Sequence, residues 1–273
     1  MINPLNSFIS WVGGKMALRD EILRRFPLTY QLYVEVFGGA GWVLFHKPPD
    51  TDEVYNDFNT NLVTLYRMVK QDPEALIAEL DWSLNSRDGF VKLKQLFANQ
   101  TPMDDIQRAA SFFKLIRYSY GSKCVSFGCH PTDLERSYPA IRGAHRRLRG
   151  VVIENKDFEA LISLYDKRDG AFFYLDPPYY GTEDYYMDVG FTQEDHIRLL
   201  NALSGIRGKF LLSYNDDPFI RTLYADYQIE AISRLSNLSQ RHDPGAEFPE
   251  LFIANYDMAE RGRQNEQLSL LAQ

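Results

Sequence analysis

The sequence predicts one doubly wound α/β domain with a mostly parallel, Rossmann-like sheet, interrupted by a mostly helical insert. Three observations carry this. Short apolar runs alternate with helical patterns at both ends of the chain, a glycine-rich turn follows the first run, and the middle shows no convincing strand. The boundaries expected are residues 1–59 and 151–273 for the α/β domain and 60–150 for the insert, about 90 residues and large enough for a small module.

In order, Ser10-Trp11-Val12-Gly13-Gly14-Lys15 is a glycine turn leading into a helical pattern with Ile22, Leu23 and Phe26 on one side. Leu32 to Phe37 reads as a buried strand, ended by Gly38-Gly39-Ala40-Gly41. Glu53 to Asn56 is a second short strand with Asp57-Phe58-Asn59 at its carboxyl end. Within the insert, Thr101-Pro102-Met103-Asp104 has the chemistry of a helix start, a threonine cap with proline in the first turn. Ile106, Ala109, Ala110, Phe113 and Ile116 follow at helical spacing, and residues 119–137 form a loop. Strands resume at Val151–Glu154, Ala171–Leu175 and Phe210–Tyr214, with a last one at Glu250–Tyr256. Between them Thr192 caps a helix carrying Ile197, Leu200 and Leu203.

With 45% hydrophobic and 25% charged residues the composition is that of a globular protein. No apolar run is long enough for a bilayer, and Met1 to Asn6 lack a signal-peptide start, so a cytoplasmic protein without a membrane partner is expected. Nothing requires a protein partner. Cys124 and Cys129 are read as free thiols; with His130 they make three candidate zinc ligands and no fourth, so no metal is expected. The net charge of −7 does not exclude nucleic acid, because phosphates respond to local charge. Arg142, His145, Arg146, Arg147 and Arg149 fall within eight residues, as a phosphate-binding face or a solvated helix face.

Asp176-Pro177-Pro178-Tyr179 stands at the mouth of a strand, where open α/β sheets bind ligands. The prolines stiffen the corner and remove donors, so a carboxylate, a free carbonyl and an aromatic face are presented together. That set suits a planar amine. The Asp176 carboxylate and the Pro177 carbonyl can each take one hydrogen of an exocyclic NH2, and Tyr179 can stack on the ring for ~1–3 kcal/mol. A plain turn is the competing reading. Asp57 lies nineteen residues after Gly38, the spacing of a ribose-binding acid, although the turn lacks a full G-x-G-x-x-G; a helix cap is the alternative.

Together, the Trp-x-Gly-Gly-Lys segment, the Phe-Gly-Gly-Ala-Gly turn, an insert and then Asp-Pro-Pro-Tyr resemble the Dam-type DNA adenine-N6 methyltransferases. The resemblance covers Phe8 to Lys15, Tyr33 to Asn59 and Glu154 to about Tyr214. It implies S-adenosylmethionine as methyl donor and double-stranded DNA as partner, with the insert as target-recognition domain. Trp11, Lys15, Phe37, Gly38 and Gly39 resemble cofactor contacts, Asp57 the ribose acid, and Asp157-Phe158 the pair holding the cofactor adenine, with Asp157 equally readable as a helix cap. Asp176, Pro177, Pro178 and Tyr179 resemble the catalytic motif, with Asp176 also at the cofactor. Arg117 to Gly121 matches only loosely a phosphate-contacting stretch of the relatives. The expected DNA contacts are Lys123 on the loop and Arg142, Arg146, Arg147 and Arg149.

The reaction implied is direct methyl transfer to a flipped-out adenine. Because a sulfonium methyl is already electrophilic, neither a metal nor a covalent enzyme intermediate is required. Three alternatives stand beside it: cytosine-N4 methylation, methylation of RNA or a protein amide, and a non-catalytic DNA-binding protein on the same scaffold. A lone enzyme and the methylating member of a restriction-modification pair are equally compatible with the sequence.

Overall fold

The computed structural model describes residues 5–11, 13–49, 51–81, 84–129, 131–183, 190–235 and 247–264. A seven-stranded, mostly parallel sheet runs in the order β3-β2-β1-β4-β5-β7-β6. Its strands are β1 (Leu32–Glu35), β2 (Asp52–Asn56), β3 (Val151–Glu154), β4 (Ala171–Leu175), β5 (Lys209–Asn215), β6 (Gln228–Leu235) and β7 (Glu247–Ala254). β1 pairs parallel with β4 and β4 with β5, whereas β7 lies antiparallel to both β5 and β6. Strand order reverses between β1 and β4, the switch point where doubly wound sheets open a crevice at their carboxyl ends. β6 has no counterpart in the sequence-based expectation.

The chain forms two compact units. One is Met1–Gly14, Gly38–Asp50 and Tyr55–Asn155; the other is Lys15–Phe37, Thr51–Val54 and Lys156–Gln273. In the second, β1 and β4 are buried along their whole length, as near-continuous apolar runs in parallel strands require. Leu32, Val34, Phe173, Leu175, Phe210 and Leu212 face a core closed by α8 (Phe158–Tyr165), α9 (Gln193–Ser204) and α10 (Pro218–Leu223). Elsewhere in this unit Phe26 packs edge-on against Phe172 at 4.7 Å and Phe172 against Tyr256 at 6.2 Å. Tyr33 donates to Glu35 Oε2 at 2.8 Å, so both buried polar groups of β1 are partnered. α1 (Arg19–Arg24) buries Ile22.

The first unit holds α2 (Trp42–His46) and the helices α3 (Thr60–Gln71), α4 (Pro73–Asp81), α5 (Arg87–Ala98), α6 (Asp105–Tyr118) and α7 (Tyr138–Leu148). α6 packs against α3, α4 and α5, its Ala109 and Ala110 buried, and α7 packs on α3 and α4. Between residues 60 and 150 the described backbone pairs only in an isolated bridge, Ser119 with Phe127. α6 does not begin at Thr101. Its cap is Asp104, in a reciprocal box with Gln107 that satisfies a backbone donor at each end of the first turn. α9 does start at Thr192, boxed with Asp195, but its buried side is His196, Leu199 and Leu203, and Ile197 is exposed. No helix among the described residues is long and apolar enough to cross a membrane.

Candidate active site

Asp176 follows directly on β4 and is half-buried. Its Oδ1 takes two donors, Lys15 Nζ at 2.7 Å and Ser213 Oγ at 3.0 Å. Ser213 reaches it because Leu175 and Leu212 are register partners, so the next residue of β5 stands beside the first residue after β4. Oδ2 is left without a protein partner among the described residues. Burial raises the Asp176 carboxyl above its ordinary pKa; the Lys15 ammonium opposes this most, and the charge of Glu250 adds to it.

Tyr179 lies under Lys15, whose Nζ is 4.6 Å from the ring centroid, and donates to Glu250 Oε2 at 2.8 Å. Burial, with Asp176 and Glu250 nearby, pushes its hydroxyl well above the usual tyrosine value, so it remains a donor. Tyr180 turns elsewhere: its ring stacks on Phe219 at 4.5 Å and its carbonyl accepts from Asn215 Nδ2 at 3.1 Å. Beyond it Glu183 Oε1 is 2.9 Å from His196 Nε2, and the Tyr214 hydroxyl is 2.6 Å from Nδ1. Burial lowers the His196 pKa, with Glu183 opposing.

The same unit holds Asp157, Phe158 and Phe37. Asp157 does cap α8, its Oδ1 accepting from Glu159 N at 3.0 Å, while Oδ2 pairs with Arg198. The Arg198 guanidinium sits 4.2 Å over the Phe158 ring, and Phe37 is 5.7 Å from that ring.

In the other unit the glycine turn is built for close approach. A Cβ on Gly38 would stand 2.2 Å from the Tyr55 ring, and Gly39 has φ +49° with the Trp11 indole 3.1 Å from its absent Cβ. Asp57 braces the turn: Oδ2 accepts from Gly39 N and Oδ1 from Asn59 N, both at 2.8 Å. Burial raises its pKa against these donors. The cap of α3 is Asn59, which accepts from Leu62 N, so Asp57 is not the helix cap. With Phe58 N as a third backbone donor, the carboxylate keeps a remaining lone pair for a hydroxyl.

The basic cluster lies on α7 and just beyond it, and divides by environment. Arg142, Arg146 and Arg149 are exposed, Arg142 in a bidentate pair with Glu74. Arg147 is 8% exposed and donates to the Leu44 carbonyl at 2.8 Å, so its guanidinium serves the interior. Lys123 is exposed on a loop where Ser122 and Cys124 both hold positive φ. Cys124 is buried and Cys129 exposed, both free; His130 is outside the described residues. Arg117 belongs to the loosely matched stretch but is not among the DNA contacts expected from the sequence. It lines a cavity of about 340 Å³ with Arg136, Asp133, Ser10, Ser119, Ser122 and Thr132, and its buried Nε has no hydrogen-bond partner among the described residues. Ser213 and Glu250 escape sequence reasoning. The one signal for Glu250 is an acid against the apolar run Leu251-Phe252-Ile253.

A type II methyltransferase of Lactococcus lactis subsp. cremoris is 27% identical to this chain, covering 92% of it and 96% of its own length. A type II methyltransferase of Methanocaldococcus jannaschii is also 27% identical, covering 91% and 98%. The DNA adenine methylase of Haemophilus influenzae is 24% identical, covering 89% and 91%. The sequence profile of the D12 class N6 adenine-specific DNA methyltransferases matches residues 11–238. That span takes in the glycine turn, the whole helical segment and the mouth of β4, and the chain belongs to the D12 class of N6 adenine-specific DNA methyltransferases.

Proposed function

We propose that this DNA adenine-N6 methyltransferase draws its methyl group from S-adenosylmethionine and delivers it to an adenine flipped out of double-stranded DNA at Asp176-Pro177-Pro178-Tyr179. The observation that carries the reading is the asymmetry of Asp176. Lys15 and Ser213 both occupy Oδ1, which turns the open Oδ2 into the acceptor for one N6 hydrogen. The Pro177 carbonyl takes the other, and Tyr179 receives the ring. Extruding the base costs a few kcal/mol, which stacking and these acceptors offset.

S-adenosylmethionine supplies an electrophilic methyl group on a sulfonium. By their places in the motifs Gly38, Gly39, Trp11, Phe37, Asp157 and Phe158 resemble its contacts and Asp57 the acceptor for its ribose diol. Arg198, which pairs with Asp157 and covers the Phe158 ring, must yield before that pair can take the adenine. Lys15 resembles a cofactor contact by its place in the motif; its ion pair suits it to hold Asp176 in place. Alignment of N6 with the methyl group is the main catalytic contribution. The methylated nitrogen must then shed a proton, and Asp176, whose burial raises its proton affinity, stands beside it.

Residues 1–59 and 151–273 carry the chemistry in this reading, and residues 60–150 engage DNA. Arg142, Arg146, Arg149 and Lys123 are exposed for that role. The Arg117 cavity adds two arginines and hydroxyls, groups that take a phosphate, beside one acid, Asp133, that pairs with Arg136. The N6 specificity of the family decides against cytosine N4 as the acceptor.

Asp176→Ala tests the assignment. Turnover on unmethylated duplex DNA should fall ~10²-fold or more, as on loss of an oxyanion donor. The dissociation constant for S-adenosylmethionine, read by calorimetry, should stay close to wild type. Turnover near wild type would overturn the catalytic role.

A further inference from the structure

Glu250 lies beyond the span shared with the family profile and is only 1% exposed, in the middle of β7. A carboxylate there costs folding energy unless it is used. It accepts the Tyr179 hydroxyl at 2.8 Å. Its register partner on β5 is Asn215, whose Nδ2 donates to the Tyr180 carbonyl at 3.1 Å. One cross-strand pair thus grips two successive residues of the catalytic corner, one by its side chain and one by its backbone.

The geometry of a tyrosine makes this consequential. Its hydroxyl lies on the long axis of the ring, so pinning the oxygen fixes where that axis points. Rotation about the axis is limited separately, by Lys15 at 4.6 Å over the ring and by Tyr214 tilted at 6.1 Å. We infer that Glu250, backed by Asn215, is a positioning residue that aims the Tyr179 ring at the target base. The inference rests on the reading of Tyr179 as the base-stacking residue. Glu250 positions the ring through the Tyr179 hydroxyl, and its charge also raises the proton affinity of Asp176. A misplaced ring leaves cofactor binding intact and lowers the fraction of bound adenines held in line for attack.

The test is a double-mutant cycle on the full chain, with unmethylated duplex genomic DNA as substrate. Glu250→Ala should lower kcat on the order of tenfold and leave the S-adenosylmethionine dissociation constant unchanged. Glu250→Gln should recover most of the loss, because its amide oxygen still accepts the hydroxyl. Tyr179→Phe, which keeps the ring and removes the hydroxyl, should cost about as much as Glu250→Ala. The double variant should lose no more than either single one. Additive losses, or an unimpaired Glu250→Ala, would overturn the inference. Should Glu250→Ala fail to fold, Glu250→Met takes its place in the cycle, keeping the volume without the acceptor. Tyr179→Ala separates the two readings. If it turns over like wild type, the base-stacking role of Tyr179 fails. If it is inactive while Tyr179→Phe is unimpaired, that role stands and the role of Glu250 fails.

Discussion

In the role proposed for it Asp176 must be a carboxylate, yet burial raises its affinity for a proton. Two consequences follow, with opposite signs. Above its folded pKa the ionised group lowers stability, and the loss disappears as pH falls below the unfolded value. Activity runs the other way: kcat/KM falls as pH drops through the folded pKa, so its acid limb lies above the range of an ordinary aspartate. Lys15 is the main opposing charge, so Lys15→Met should move that limb to higher pH. A pH profile of kcat/KM checks this, and an unmoved limb would assign the titration to another group. Asp176 and Tyr179 are legible as residues because their chemistry lies in four consecutive positions. Ser213 and Glu250 are not, since what they touch depends on which strands are neighbours.

Helices show the same division. The box at Thr192 and Asp195 follows from local spacing and is present. At α6 two capping patterns overlap, and the one nearer the apolar stripe is used: Asp104 with Gln107. Asp104→Ala should therefore cost ~1 kcal/mol in a denaturant titration, and Thr101→Ala much less. Equal costs would mean that the first turn begins earlier. Apolar spacing misplaces the inner face of α9 because that face includes a histidine. His196 is fully buried at no net polar cost, since Tyr214 and Glu183 meet both ring nitrogens. Apolar periodicity does not anticipate such a residue.

Over the whole molecule the net charge is −7, and DNA must be met by local positive charge. Arg146 and Arg149 are exposed, whereas Arg147 binds a backbone carbonyl. Arg146→Ala with Arg149→Ala should weaken DNA binding on all sequences and flatten log affinity against log salt by about 1 for each phosphate no longer neutralised. Arg147→Ala should instead lower the melting temperature and leave the slope alone. An unchanged slope in the double variant would make the cluster a solvated helix face. The sequence alone determined the α/β class, the glycine turn, the Asp-Pro-Pro-Tyr corner and the family, because each is written in a few adjacent residues whose backbone and donor needs are local. Only the tertiary structure decided which oxygen of Asp176 is free, which arginines face inward and which carboxylate holds Tyr179. Those outcomes depend on strand order and register, which bring Lys15, Ser213 and Glu250 to the mouth of β4 from distant parts of the chain.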